Sequence, residues 1–161
     1  MNYSIADIGI YRRRDYMENL KFRAWDKGTD LMNDVTVIDL ENEEVYYNHW
    51  RYGHSEAISF KDVEILQSTG LKDKNGVEIF EGDILKVFIF DGKGPHAKVI
   101  FKNGMFGIED DMFGYGYDKG LYTLNQIISI RDAEVIGNKY EHPHLLEEWL
   151  DGSKRKIVCL L

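Results

Sequence analysis

The chain of 161 residues carries a single cysteine, Cys159. No disulfide can form within it, so the fold rests on burial and hydrogen bonding, and this usage suits a reducing, cytoplasmic compartment. Cys159 stands third from the end of the sequence, not fourth, so it makes no prenylation box; it reads as a structural thiol. Long apolar runs are missing too. No stretch reaches the roughly 20 consecutive apolar residues of a membrane helix, and the longest candidate, residues 84–90, is strand-length and interrupted by Lys86. No apolar segment follows a basic start, so no secretory signal is legible. Basic residues are short in number: 20 Lys and Arg stand against 28 Asp and Glu, a net charge of −8. That balance argues against tight nonspecific binding to a phosphate backbone, though it leaves room for a local basic patch. Phosphate-loop and Gly-x-Ser-x-Gly frames are also lacking, and the glycines around Lys93 (residues 91–95) read as a hairpin tip.

Aromatic residues are plentiful, at 13%, and hydrophobic residues make up 43% of the chain, while prolines number two. This combination points to a mainly β protein with its own core. Leu20, Phe22 and Ala24 alternate with Lys21 and Arg23, the period of a half-buried strand. Residues 26–30 carry turn chemistry, Leu31 and Met32 open a return segment, and Val35, Val37, Ile38 and Leu40 suggest another strand. Val45, Tyr46 and Tyr47 suggest a short third strand, and residues 51–59 read as loop. Further on, Val77 and Ile79 are expected to face one way. Strands are expected over 84–90, 97–101, 105–108 and 133–136, and at 128–130, while Leu121, Leu124 and Ile127 fit either a helical turn or a strand. Pro143 suits a first helical turn, and Leu145, Leu146, Trp149 and Leu150 would share one helical face.

The densest local information lies in residues 69–87, TGLKDKNGVEIFEGDILKV. Asn75-Gly76 suits a tight reversal with positive φ, and Glu81-Gly82-Asp83 forms a corner from which a strand launches. Short strands, glycine turns and this corner fit an SH3-like small barrel. The organisation that follows is an extension over 1–16, an N-terminal antiparallel β unit over 17–62, the barrel over 63–140, and a C-terminal helix and tail over 141–161. The run Arg12-Arg13-Arg14 before Met17 would, with AGG codons, read as a ribosome-binding site ahead of a start codon, which makes 1–16 a translated leader; the rival reading is a basic arm for an acidic partner.

Three blocks together carry a family resemblance: KFRAWDKGTDLM (21–32), the 69–87 run, and AEVIGNKYEHPHLL (133–146). In order and spacing they resemble the YopX-like proteins of bacteriophages and prophages. The resemblance implies a phage-encoded cytoplasmic protein, β-rich, containing an SH3-like barrel and capable of self-assembly. It implies no reaction and no cofactor. The signature positions it marks are Trp25, Asp26, Thr69, Gly70, Asp73, Asn75, Gly76, Glu81, Gly82, Asp83, Gly137 and Asn138.

Three functional classes remain to be weighed. The leading one is binding without catalysis, to a second copy of the chain or to a phage or host protein, with Trp149, Ile157, Val158, Leu160 and Leu161 as interface candidates. A nucleic-acid-binding module is the second; it needs Lys21, Arg23, Lys72, Lys74, Lys86, Lys98 and Lys102 on one face. Phe106, Phe113, Tyr115, Tyr117 and Tyr122, interleaved with glycines, would suit base stacking, but Glu109, Asp110, Asp111 and Asp118 around them favour packing or a protein contact. The third is a metal-dependent hydrolase using Asp73, Glu81 and Asp83, which requires those carboxylates to converge. Against it stands the plainer reading that Asp73 fixes its turn and Asp83 holds backbone donors at the corner. His142 and His144 flank a proline without a third ligand nearby, and His49, His54 and His96 are scattered, so no metal site is expected. Trp25 and Trp50 read as covering the core or joining two sub-domains.

Overall fold

A computed structural model describes residues 20–47, 57–88, 95–110 and 120–146. The leader reading of 1–16 lies outside the described residues, as do Trp50, residues 91–94, the glycine- and tyrosine-rich stretch 111–119, and everything from 147 onward, including Trp149, Cys159 and the apolar tail. Among the described residues the strands and the helix α1 run in the order β1 (Phe22–Asp26), β2 (Leu31–Asp39), β3 (Glu44–Tyr47), β4 (Ile58–Ser59), β5 (Val63–Lys72), β6 (Glu78–Phe80), β7 (Asp83–Val87), β8 (His96–Lys102), β9 (Met105–Asp110), β10 (Gly120–Thr123), α1 (Leu124–Ile130) and β11 (Ala133–Asn138), and residues 144–146 are helical.

The strands form two antiparallel sheets. The six-stranded sheet has the order β4-β3-β2-β1-β5-β6, and the five-stranded sheet β10-β9-β8-β7-β11. The chain is therefore mainly β, as expected. The closed cylinder expected of an SH3-like barrel is not seen: neither sheet closes on itself among the described residues. One physical reason is visible at β11. Its outer edge is occupied not by a strand but by the turn after β5, where the Lys74 amide donates to the Ala133 carbonyl at 3.0 Å and the Val135 amide donates to Asp73 Oδ2 at 3.0 Å. A side chain thus stands where a ladder partner would.

Two cores result. The larger joins Ile79 of β6 to Leu85, Val87, Ala97, Val99, Ile108, Leu124, Ile127 and Ala133. The smaller gathers Ala24, Val45 and Val63 beneath Val35, Ile38 and Phe60. β7 is the pivot: Ile84, Leu85 and Val87 are fully buried, so both faces of this strand are covered, as its aliphatic run demands. Val77 and Ile79 do not share a face, because Val77 lies in the turn and is exposed while Ile79 is in the core. Residues 128–130, expected as strand, belong to α1. Leu124 and Ile127 recur at helical spacing and are buried, Thr123 Oγ1 accepts from the Gln126 amide at the helix start, and tertiary packing overrides the β preference of the isoleucines.

Candidate functional site

Of the signature residues, Asp73, Gly82 and Asp83 reach between the two sheets, to Val135, Val99 and Arg23; Asp26 is held within the six-stranded sheet, and Asn75 and Gly76 are exposed in their turn. Asp26 ends β1. Its Oδ1 accepts from the Gly28 amide at 2.8 Å and the Thr29 amide at 3.3 Å, and its Oδ2 accepts from the Tyr47 hydroxyl at 2.7 Å. Burial would raise this carboxyl, but these donors outweigh it and hold it below the usual range. Tyr47 is pushed the other way, to about 12, by burial and by that carboxylate.

The run 69–83 then makes three corners. Gly70, Gly76 and Gly82 all have positive φ, at 71°, 82° and 81°, which is why glycine stands at each. Thr69 Oγ1 donates to the Ile79 carbonyl at 2.8 Å and accepts from the Leu71 amide at 3.2 Å, tying β5 to β6. Ser68 Oγ donates to Glu78 Oε1 at 2.6 Å, and Lys21 Nζ donates to Glu78 Oε2 at 2.7 Å. Asp73 accepts from three amides: Asn75 at 2.8 Å, Val77 at 2.9 Å and, across the junction, Val135 at 3.0 Å. Burial works against its charge, yet the amides win and keep its carboxyl low.

Asp83 opens β7 and is 3% exposed. Its Oδ2 accepts from the Phe80 amide at 2.8 Å. Its Oδ1 faces the Arg23 guanidinium at 3.9 Å, and Arg23 Nε also lies 3.6 Å from Asp34. The guanidinium sits 3.9 Å from the centroid of the Phe80 ring. Here burial dominates and pushes the carboxyl up to about 6, against the Phe80 amide and Arg23.

The closing block completes the junction. Gly137 lies at a register shift in the β11–β7 ladder, and a Cβ there would stand 2.9 Å from the His142 ring. Asn138 Oδ1 accepts from the Tyr140 and Glu141 amides at 3.0 and 2.9 Å, turning the chain out of β11. Tyr140 is thereby stacked on Trp25, with ring centroids 5.2 Å apart and planes 13° from parallel. Trp25 joins β1 to the segment after β11.

Asp73, Glu81 and Asp83 do not act as a group. Among the described residues, no three His, Cys, Asp or Glu side chains are placed to hold a metal ion. His142 and His144 have ring centroids 6.2 Å apart, and His96 Nδ1 lies 2.9 Å from the Leu145 carbonyl. The cations are largely committed to carboxylates: Lys21 to Glu78, Arg23 to Asp34 and Asp83, Lys74 to Glu134, and Lys102 to Glu109. Sequence reasoning missed Arg23, Glu78, Ser68 and His142 as junction residues. The alternation along β1 places Arg23 on the face opposite Ala24, but nothing in the sequence names Asp83 as its partner. The glycine at 137 was the available signal for His142, since a glycine inside a strand marks a close approach.

The profile of the YopX protein family matches residues 21–147. The chain belongs to the YopX family. Among solved structures it is similar to protein EF1440 from Enterococcus faecalis, at 30% identity, covering 78% of this chain and 96% of that one with a TM-score of 0.52. It is also similar to protein yopX from Bacillus subtilis, at 20% identity, covering 80% of this chain and 98% of that one with a TM-score of 0.55; at that identity the likeness concerns the fold. No curated protein matches the chain. In this YopX-family chain the Asp73 and Asp83 side chains reach between the two sheets, to the Val135 amide and to Arg23.

Proposed function

We propose that this YopX-family protein is a phage or prophage accessory protein that acts by binding, without catalysis, and assembles with copies of itself in the bacterial cytoplasm. One observation carries the reading. The polar side chains of Asp26, Thr69, Asp73, Asp83 and Asn138 are each spent on donors and acceptors within the chain, so these residues serve the fold. The described surface also exposes apolar side chains: Leu31, Val37 and Leu40 around β2, and Phe101 and Met105 at the β8–β9 turn, where Phe101 packs against Phe106. No described helix is long and apolar enough to cross a membrane. Residues 63–140 are further read as an incomplete small barrel, with the Asp73–Lys74 contacts to β11 standing in for the closing ladder.

Light scattering on the purified full chain tests assembly, with a mass of two or more whole chains as the expected result. Deletion of 153–161 lowers that mass if Ile157, Val158, Leu160 and Leu161 form the contact, and Trp149→Ala lowers it if Trp149 does. Phe101→Ser with Met105→Ser lowers it if the β8–β9 turn does. A monomeric wild type overturns self-assembly, and affinity capture from infected cells then addresses a phage or host partner.

A further inference from the structure

Asp83 belongs to β7 in the five-stranded sheet, whereas the groups it faces belong to the six-stranded one. From β1 comes Arg23, with its guanidinium 3.9 Å away, and from the end of β6 comes the Phe80 amide. Asp34 on β2 competes for the same guanidinium. Glu78 on β6, bound to Lys21 and Ser68, lies within its field. On the other side, Asn138 of β11 stands opposite Asp83 in the ladder and is tied to Glu141. Lys139 lies against Gly82, and Lys98 of β8 is opposite Ile84. The neighbouring carboxylate in sequence is Glu81. Asp83 is thus a deeply buried acid whose nearest cation is too far for a short ion pair and has a second, exposed carboxylate available.

We propose that Asp83 is a proton-controlled latch between the two sheets: ionised, it holds the Arg23 guanidinium over Phe80 at the junction; protonated, it releases Arg23 to Asp34 and solvent. The Phe80 amide keeps its acceptor in both states, since a neutral carboxyl still accepts through its carbonyl oxygen. The junction itself stays joined by Asp73, which accepts from the Val135 amide. The latch therefore moves one cation at a persisting interface and leaves the two sheets joined. Burial raises the Asp83 carboxyl into the range where mildly acidic conditions reach it.

The test is a titration of the full chain by nuclear magnetic resonance, following the Asp83 carboxyl carbon and the Arg23 Nε–H group between roughly pH 4.5 and 8. The expected result is an Asp83 midpoint near about 6, with the Arg23 signal moving at the same midpoint. In Asp83→Asn the Arg23 signal stays flat over that range. In Arg23→Gln, which keeps the acid and serves if Asp83→Asn fails to fold, the Asp83 midpoint rises by about half a pH unit or more. An Arg23 signal that ignores Asp83, or an Asp83 midpoint unmoved by Arg23→Gln, overturns the latch.

Discussion

Asp73 and Asp83 stand ten positions apart in one run, both nearly buried, at 6% and 3% exposure, and both at the same junction. Their chemistry is opposite. Asp73 collects three amide donors and stays easily ionised. Asp83 has one amide donor and a distant arginine, and its charge is disfavoured. Burial acts on both in the same direction; what differs is how many fixed dipoles point at the oxygens. The number of backbone donors, which depends on the turn geometry, decides whether a buried carboxylate stabilises the fold or strains it.

The comparison breaks most visibly at Asp73. Asp73→Ala strands three amides, one of them on β11, and is expected to destabilise the protein by about 3–4 kcal/mol in urea unfolding. A loss below about 1 kcal/mol would mean that the amides find other acceptors and that the Asp73 corner is not what closes the edge of β11.

At Asp83 the isosteric change has the other sign. A carboxyl whose folded value lies above its unfolded one contributes stability that is complete below the unfolded value and lost as pH rises through about 6. Asp83→Asn removes that dependence. At about pH 7.5 the variant is expected to match or exceed the wild type, by up to about 3 kcal/mol, and the gap closes towards pH 4. Asp26, Asp73 and Glu78 run in the reverse sense: their carboxyls are held low, so their contribution is present above the unfolded value and falls away below about pH 4. Stability curves of the two proteins against pH that run parallel from about 4 to 7.5 would refute the contrast.

Next in size is Gly137→Ala. The added methyl meets the His142 ring at 2.9 Å, and displacing that ring disturbs the turn that sets Tyr140 on Trp25. The expected cost is about 1–3 kcal/mol, with a change in tryptophan fluorescence. Unchanged stability and fluorescence would show that the closing block tolerates movement the two aspartate corners do not.

Much of this was legible beforehand. Asn75-Gly76 and Gly82 announced their corners, because only backbone with positive φ needs glycine there. The aliphatic run after Asp83 announced a strand, though not that both of its faces would be buried. Asp73 was readable as a turn-fixing residue, since its first two donors lie two and four residues away; its third donor, Val135, is 62 residues distant and has no local trace. For the same reason Asp83 and Arg23 could not be paired from sequence. The open sheets were missed because a barrel's strand spacing and that of two joined sheets look alike along the chain; they differ only in which edge meets which. Residues 128–130 misled because isoleucine favours strands locally, whereas the core decided for α1.

The smallest effect concerns the cations beside the two acids. Lys74 lies next to Asp73, but its ammonium is bound to Glu134 at 2.8 Å on a half-exposed flank, and among the influences on Asp73 its charge ranks behind the three amides. Lys74→Ala is therefore expected to cost less than about 1 kcal/mol, and to leave the Asp73 titration close to that of the wild type. Arg23 differs: it is one of only two groups opposing the burial of Asp83. If Lys74→Ala shifted Asp73 as much as Arg23→Gln shifts Asp83, the Asp73 corner would owe its low carboxyl to an ion pair rather than to backbone dipoles, and the distinction between the two corners would reduce to which has the nearer cation.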